Sequence, residues 1–398
     1  MTSSPLYRFH HVSPGTYYLP DDLTVAWQSP SNIALVKYWG KRVGQIPVNP
    51  SLSMTLQIAV TQTRVHVSSG KPEKGLVSVN NDPQHPFLPK MRMLLNHLIT
   101  EIPILAELTF RAQTQNQFPH STGIASSASG LSAFSLCILG LAARILYPEM
   151  YKPAISSPGQ AKPEAASADF QPTGLSNVEL YRMASYTARF GSGSACRSLY
   201  GGFTSWGNTD IIPGSSDYYA VSLAEMVHPE MLLLHDAILV VSDKPKALSS
   251  TQGHAAMKDH PFLTGRIKQA NRNFSDALDA LSTNDFEKLC DVAECEALTL
   301  HALLMSTSHG TMLMQPATLE IIHHIREARK GGLPIFFTLD AGANVHLLYP
   351  HMERPAVEKF IDENLKPLCE TGRVIFDSCG SGPVELNETV TPDIFRSL

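Results

Sequence analysis

Five stretches of this chain carry side chains whose types and spacing point to chemistry on anions. Lys37, Lys41 and Arg42 fall within six positions, beside Tyr38 and Trp39. Ammonium and guanidinium groups satisfy phosphate oxygens, and aromatic rings wall off water, so the cluster suits a phosphorylated ligand. Taken alone, the segment reads more simply as a solvated strand end with ordinary surface lysines. The run Phe118 to Gly130 is small, polar and glycine-bearing, and it feeds into the apolar run Leu131 to Tyr147. Backbone N–H groups of such a loop approach an anion closely, and the helix that follows points its positive end at the same place. This reads as a polyphosphate cradle for ATP, or else as a serine-rich turn capping a buried helix. No Gly-Lys-Ser/Thr closes it, and it is not a dinucleotide G-x-G-x-x-G. In Gly191 to Gly202 a single arginine, Arg197, rises from glycines and serines. Its guanidinium suits a two-pronged clamp on a carboxylate, or a structural ion pair at a tight turn. Cys196 beside it has no histidine partner in sequence and reads as a buried structural thiol. Asp340, before Ala341-Gly342-Ala343-Asn344, is a positioned carboxylate or the start of a simple turn. Asn49-Pro50-Ser51-Leu52-Ser53 adds amide and hydroxyl groups near the first cluster.

The elements that must hold these residues can be read from periodicity. An extended apolar run from Ser29 delivers the Lys37 cluster. Thr63 to Val67 and Leu108 to Ala112 alternate as half-buried strands do. Met91, Leu94, Leu95, Leu98 and Ile102 fall at helical spacing, and Pro103 ends that helix. The helix after the cradle is apolar nearly all round and should lie buried at the centre of the first domain, fixing the phosphate loop. Ile155 to Gly174 is rich in Pro, Ala, Ser, Gly and Gln and reads as a mobile surface insertion. A helix is expected over Asn177 to Phe190. A buried strand follows at Leu232 to Val241, then polar loops at Ser242 to Lys246 and Ser249 to Gly253. Three amphipathic helices are expected at His260–Leu281, Phe286–Leu304 and Ala317–Ala328. Pro334 to Leu339 reads as the strand that delivers Asp340, and Val345–Tyr349 and Arg373–Phe376 as further strands.

The totals bound the answer. At 398 residues the chain is too long for one compact core, and two domains are expected, 1–228 and 229–398. Hydrophobic content of 43% and charged content of 17% are those of a globular protein. A net charge of −5 gives no overall basic surface for nucleic acid. Met1 to Asp22 reads as no signal peptide, and no stretch reads as a membrane span. Six scattered cysteines with no Cys-x-x-Cys spacing point to a reduced, cytoplasmic protein. Sixteen histidines form no H-E-x-x-H array, so no structural metal is expected.

Taken in order, Lys-Tyr-Trp-Gly-Lys-Arg, Gly-Ile-Ala-Ser-Ser-Ala, Gly-Ser-Gly-Ser-Ala-Cys-Arg-Ser-Leu-Tyr-Gly-Gly, Ser-Ser-Thr-Gln-Gly and Asp-Ala-Gly-x-Asn closely resemble the diphosphomevalonate decarboxylases. These are members of the small-molecule kinase superfamily that includes galactokinase, homoserine kinase and mevalonate kinase. The resemblance spans Ser29 to Pro383. It implies an α+β/α/β two-domain small-molecule-kinase fold with the active cleft between the domains. It also implies ATP and Mg2+ as cofactors, a small-molecule substrate and a homodimer. The implied reaction phosphorylates mevalonate 5-diphosphate on its tertiary 3-hydroxyl, then releases phosphate and CO2 to give isopentenyl diphosphate. By the same resemblance Asp340 sits by the 3-hydroxyl, and Lys37 lies near Asp340 and the transferring phosphoryl group. Arg197 holds the C1 carboxylate with Ser194 beside it. Tyr38 and Lys41 contact the 5-diphosphate, with Ser51 a further substrate contact. Gly123, Ser126 and Ser127 cradle ATP phosphates, Ser127 also meeting Mg2+, and Ser250 or Thr251 serves the γ-phosphate. The chain departs from the family at Pro50, at His120-Ser121-Thr122 and at Ala343. The arginine that usually completes the diphosphate site has only Arg64, Lys90 and Arg92 as candidates. A 3-kinase that does not decarboxylate and a non-catalytic ligand-binding homologue are the alternative readings; Lys37, Arg197 and Asp340 together favour the decarboxylase.

Overall fold

The structure is a computed structural model and describes residues 4–7, 9, 19–119, 124–147, 177–244, 250–308 and 310–386. Gly123 of the expected phosphate loop and the 155–174 insertion lie outside these residues. The first half opens with β1 (Leu23–Val36), a short hairpin of β2 (Lys41–Arg42) and β3 (Ile46–Pro47), and the long β4 (Ser51–Ser68). Then come β5 (Gly75–Val79), α1 (Leu88–Glu101), β6 (Thr109–Asn116), α2 (Ser126–Leu146) and α3 (Asn177–Gly191). Strands β7 (Phe203–Trp206) and β8 (Ala220–Ser222) close this half. The second half runs β9 (Leu234–Leu239), α4 (Ser250–Ala256), α5 (Leu263–Thr283), α6 (Phe286–Met305) and α7 (Pro316–Lys330). It continues with β10 (Phe336–Thr338), β11 (Val345–Pro350), α8 (Arg354–Phe360), β12 (Val374–Ser378) and β13 (Val384–Leu386).

Two sheets result. The first has the order β13-β1-β4-β6-β5, with β7 and β8 branching from the early part of β4. Only β5 and β6 run parallel in it. The second sheet, β10-β11-β9-β12, is antiparallel throughout. The fourteen-residue β1 lies against both β4 and β13, so the last described strand belongs to the sheet of the first half.

Side-chain spacing explains the layers. In α1, Met91, Leu94, Leu95 and Leu98 form one buried stripe, the a/d-like face that a half-buried helix needs. Helix α2 is buried on almost every side, as its sequence requires, between the first sheet and α3. It is the one described helix long and apolar enough to cross a membrane, and 94% of that window is buried inside the fold. Small hydroxyls let neighbours approach it closely. Ser129 meets Thr61 at 2.6 Å, Ser132 meets Ser29 at 2.5 Å, and Ser135 meets Thr187. A second core joins β1 and β4 to α5, α6 and β9, and a third packs α7 and α8 on the other face of the second sheet.

Two local expectations change, and one helix is new. The Ser249 to Gly253 segment is not a loop: from Ser250 onward it is the helix α4. The small-residue run after α3 folds as a 3-10 helix over Gly193–Leu199, whose residues are nearly all buried. The helical segment that begins at Arg354 was not foreseen, although Pro355 in its first turn is a common helix-start residue.

Candidate active site

Strand β1 ends at Val36 and presents Lys37 where the two halves meet. The Lys37 ammonium lies 3.0 Å from Asp340 Oδ1, although the residues are 303 positions apart. Lys37 is 3% exposed and Asp340 30% exposed, so the amine is buried while the carboxylate reaches solvent. Burial pulls the Lys37 pKa below its ordinary value; the carboxylates of Asp340 and Glu296 oppose that pull, and Arg197 adds to it.

Tyr38 packs edge-on against Trp206 at 4.8 Å and against the His254 ring at 4.6 Å. The Arg197 guanidinium lies over its face at 5.3 Å. A Cβ at Gly193 would stand 2.5 Å from the Tyr38 hydroxyl and 2.9 Å from Trp206, so only glycine admits this approach. Burial raises the Tyr38 pKa, which keeps a neutral hydroxyl at the site.

Arg197 is buried in the 3-10 helix. Its Nη1 donates to Ser51 Oγ at 2.7 Å and its Nε to Asn32 Oδ1 at 3.4 Å. Asn32 is in turn fixed by bonds to Ser198 Oγ at 2.8 Å and Ser194 O at 3.2 Å. Both acceptors of Arg197 are neutral, and among the described residues no carboxylate forms an ion pair with it. These two bonds use two of its five donors. A buried guanidinium with neutral partners is a site for an anion. Ser194 stands 3.2 Å from Ser192 Oγ, next to the Tyr38 hydroxyl. Cys196 is fully buried, its thiol turned to Gly193 O and its pKa pushed up to about 12 by burial, so it is no nucleophile.

Lys41 is partly buried, with its pKa lowered to about 8 by desolvation and by the nearby Lys90. Of the other candidate cations, Arg92 is committed to Leu76 O at 2.8 Å and Arg42 to Asp217 at 2.7 Å. Arg64 lies in β4 with its side chain Nε buried.

On the nucleotide side, Ser126 and Ser127 form the first turn of α2 and are half-buried. Ser250 and Thr251 open α4, and their side chains are outside the described set. Helix α4 carries a group that its polar sequence hid. His254 Nδ1 accepts the Gly40 N–H at 3.1 Å, and the ring stacks on Trp39 at 4.7 Å. Burial, Lys41 and Arg197 drive its pKa down to about 2, so it is neutral. Gly40 itself needs a glycine, at φ +108°.

Sequence reasoning also missed Glu296, Arg266, Asn273 and His301. These bind main-chain atoms of Lys37 and Asp340 or one another. Two buried glutamates, Glu294 and Glu296, within the mostly apolar Val292 to Leu300 were the available signal. Asn344 is occupied structurally: it exchanges two hydrogen bonds with Ser242, at 2.8 and 3.0 Å.

Comparison with known proteins follows this geometry. Residues 29–150 and 154–219 match the diphosphomevalonate decarboxylase-like N-terminal domain. Residues 237–395 match the mevalonate 5-diphosphate decarboxylase C-terminal domain. The chain is 31% identical over 344 residues to a diphosphomevalonate decarboxylase of Gibberella zeae, covering 81% of this chain and 79% of that one. In structure it resembles the mevalonate diphosphate decarboxylase from Enterococcus faecalis, with TM-score 0.70, 25% identity, and 92% and 99% of the two chains covered. The same figures hold for MDDEF in complex with MVAPP, AMPPCP and magnesium. The fold expected from the sequence, a two-domain small-molecule-kinase fold, is the one found. With matches across both halves and the paired lysine and aspartate at their junction, the chain belongs to the diphosphomevalonate decarboxylase family.

Proposed function

We propose that this cleft converts mevalonate 5-diphosphate and ATP into isopentenyl diphosphate, ADP, phosphate and CO2. The observation that carries the reading in this chain is the 3.0 Å Lys37–Asp340 pair, drawn from opposite halves beside the buried Arg197. A tertiary hydroxide is a very poor leaving group, and phosphorylation makes it a good one. Catalysis is then a matter of placing anions and stabilising charge at C3.

Each residue follows from its surroundings. The Lys37 ammonium holds Asp340 through Oδ1, and the carboxylate so placed orients the 3-hydroxyl and takes its proton. The Lys37 charge sits beside the oxygen on which the phosphoryl group arrives. Arg197, steadied by Ser51 and Asn32, holds the C1 carboxylate until it leaves as CO2, with Ser194 alongside. Lys41 and Tyr38, with Lys90 near, meet the 5-diphosphate. Ser126 and Ser127, with Gly123, cradle the ATP phosphates at the α2 N-terminus, and Ser250 or Thr251 at α4 meets the γ-phosphate.

Among the described residues no group of three His, Cys, Asp or Glu side chains could hold a metal. Mg2+ keeps its waters and takes substrate phosphates with one or two protein oxygens. Ser127 would be one such ligand. When bound, the ion neutralises charge on the phosphates during transfer.

The lobes 1–228 and 229–398, a cytoplasmic setting and a homodimer belong to the same reading. The six free thiols support the setting, and light scattering of the purified protein reads the dimer. The activity is tested by incubating the protein with Mg-ATP and mevalonate 5-diphosphate and quantifying ADP, CO2 and isopentenyl diphosphate. Equal amounts of all three are expected. ADP without CO2 would make the protein a 3-kinase, and no ADP would move the assay to the 5-monophosphate and to unphosphorylated mevalonate, and only after those to the non-catalytic reading.

A further inference from the structure

The Lys37–Asp340 pair joins two segments that nothing in the local chain holds together. Each is gripped through its main chain by the same helix. Glu296 Oε2 on α6 accepts the Lys37 N–H at 2.8 Å. Five residues later, His301 Nε2 meets the Asp340 carbonyl at 3.2 Å, as donor. Five residues of α-helix span about 7.5 Å with a turn of about 140°, so the two contacts lie at a fixed offset on one rigid element.

The Glu296 end is reinforced. Its carboxylate, 0% exposed, receives both arms of Arg266 at 2.6 Å and Asn273 Nδ2 at 2.7 Å. Arg266 Nη2 also donates to the Lys37 carbonyl at 3.0 Å, and Asn49 Nδ2 donates to the same oxygen at 3.0 Å. The Lys37 peptide is thus held at its N–H and at its C=O, from α5, α6 and the loop before β4. Stability alone does not call for this arrangement. A buried ion pair can often be replaced by apolar packing without loss, because desolvation offsets its Coulomb gain. What apolar packing cannot do is grip a peptide group.

We propose that α6 is a ruler for the reacting pair: Glu296 and His301 are positioning residues that set the separation of Lys37 and Asp340. The proposal rests on the reading of that pair as the ammonium and carboxylate of the decarboxylase. The charged groups facing Lys37 are Asp340 after β10, Glu296 on α6, Arg266 on α5 and Arg197 in the 3-10 helix.

The test uses the full chain and three variants. His301→Leu removes the donor to Asp340 without adding charge. His301→Gln restores a donor. Glu296→Asp keeps the charge that Arg266 needs but withdraws the carboxylate from the Lys37 peptide. His301→Leu is expected to lower kcat ten- to a hundredfold, with KM for ATP and for mevalonate 5-diphosphate within about threefold, and His301→Gln to recover most of the rate. Glu296→Asp is expected to lower kcat about tenfold and to move the alkaline limb of the kcat–pH profile to lower pH. Lys37 then loses part of the support that holds its proton against burial.

A second readout needs no turnover. The rate of Lys37 acetylation by acetic anhydride, followed by mass spectrometry against pH, gives the midpoint of its amine in the resting protein. That midpoint is expected to fall in Glu296→Asp. If it falls while the unaltered protein releases no CO2, the decarboxylase reading fails and the ruler stands. If it is unchanged, or if kcat of the folded fraction is unchanged in His301→Leu, or if His301→Gln is no better than His301→Leu, the ruler is overturned.

Discussion

A lysine amine 3.0 Å from a carboxylate can either neutralise it or prepare it, and burial decides which. Water would weaken the contact and let both side chains wander; at 3% exposure the Lys37 side of it is largely shielded from solvent, while Asp340 stays 30% exposed. Asp340→Asn keeps the shape and removes the charge. It is expected to lower kcat by about 10³-fold, within the range of a positioned acid–base group, while ATP binding measured by calorimetry is unchanged. Unaltered turnover would take Asp340 out of the chemistry. Lys41 gives a second outcome. Its pKa of about 8 means the amine loses its proton as pH rises through that value, well below an ordinary lysine. KM for the 5-diphosphate should therefore rise between about pH 7.5 and 9, and Lys41→Arg, which stays charged, should flatten that rise. That Lys37, Tyr38, Lys41, Arg197 and Asp340 belong to one candidate site was legible from the order of the short runs they stand in, which resembles a known family, and not from any run alone. Glu296, Arg266, Asn273 and His301 were not, because they bind peptide groups. A carbonyl 229 positions away from Arg266 leaves no mark on the residues beside it.

At the scale of elements, α4 repays attention because its sequence argues against it. Ser250, Thr251 and Gly253 are poor helix formers, and the run reads as a loop. Tertiary contact overrides propensity: His254 is stacked between Tyr38 and Trp39 and tied to the Gly40 N–H. The clustered aromatics thus bind a neutral imidazole from the other half. The sign of the acid effect follows. His254 titrates near 6.5 when unfolded and at about 2 when folded, so its contribution is present above pH 6.5 and is lost as pH falls from 6.5 toward 2. Thermal unfolding followed by circular dichroism should show a steeper fall in Tm below pH 6 in the unaltered protein than in His254→Gln. Equal slopes would mean that this ring is not kept neutral by its surroundings. The long helices were predictable for the opposite reason. In α1 and α2 local pattern and tertiary burial agree, and the 14- and 21-residue elements fall where the apolar spacing placed them, to within a few positions.

At the scale of the molecule, the halves are joined by polar contacts as well as by shared core. The Asp377 carboxylate on β12 accepts the N–H groups of Gln57, Ile58 and Ala59 at 2.8, 2.9 and 2.7 Å. It caps a bend of β4 from the opposite sheet. Asp377→Ala should cost about 1–3 kcal/mol in denaturant unfolding, the penalty of leaving such donors unpaired, with the Lys37 and Asp340 chemistry intact in what remains folded. A change below about 0.5 kcal/mol would show that water satisfies the bend. None of this was visible beforehand, since an aspartate in a strand gives no hint of a partner 318 to 320 positions earlier.

The pairing of β13 with β1 bears on how the protein is made. Leu386 sits opposite Ala26, and Val384 opposite Gln28. Synthesis on the ribosome is vectorial, so the first strand to emerge must wait for the last described one before its edge is covered. In the interval β1 offers a bare row of amides and carbonyls to any neighbouring chain. The nascent first half is therefore a natural client for chaperones, and the yield of soluble protein should depend on how quickly translation reaches Leu386.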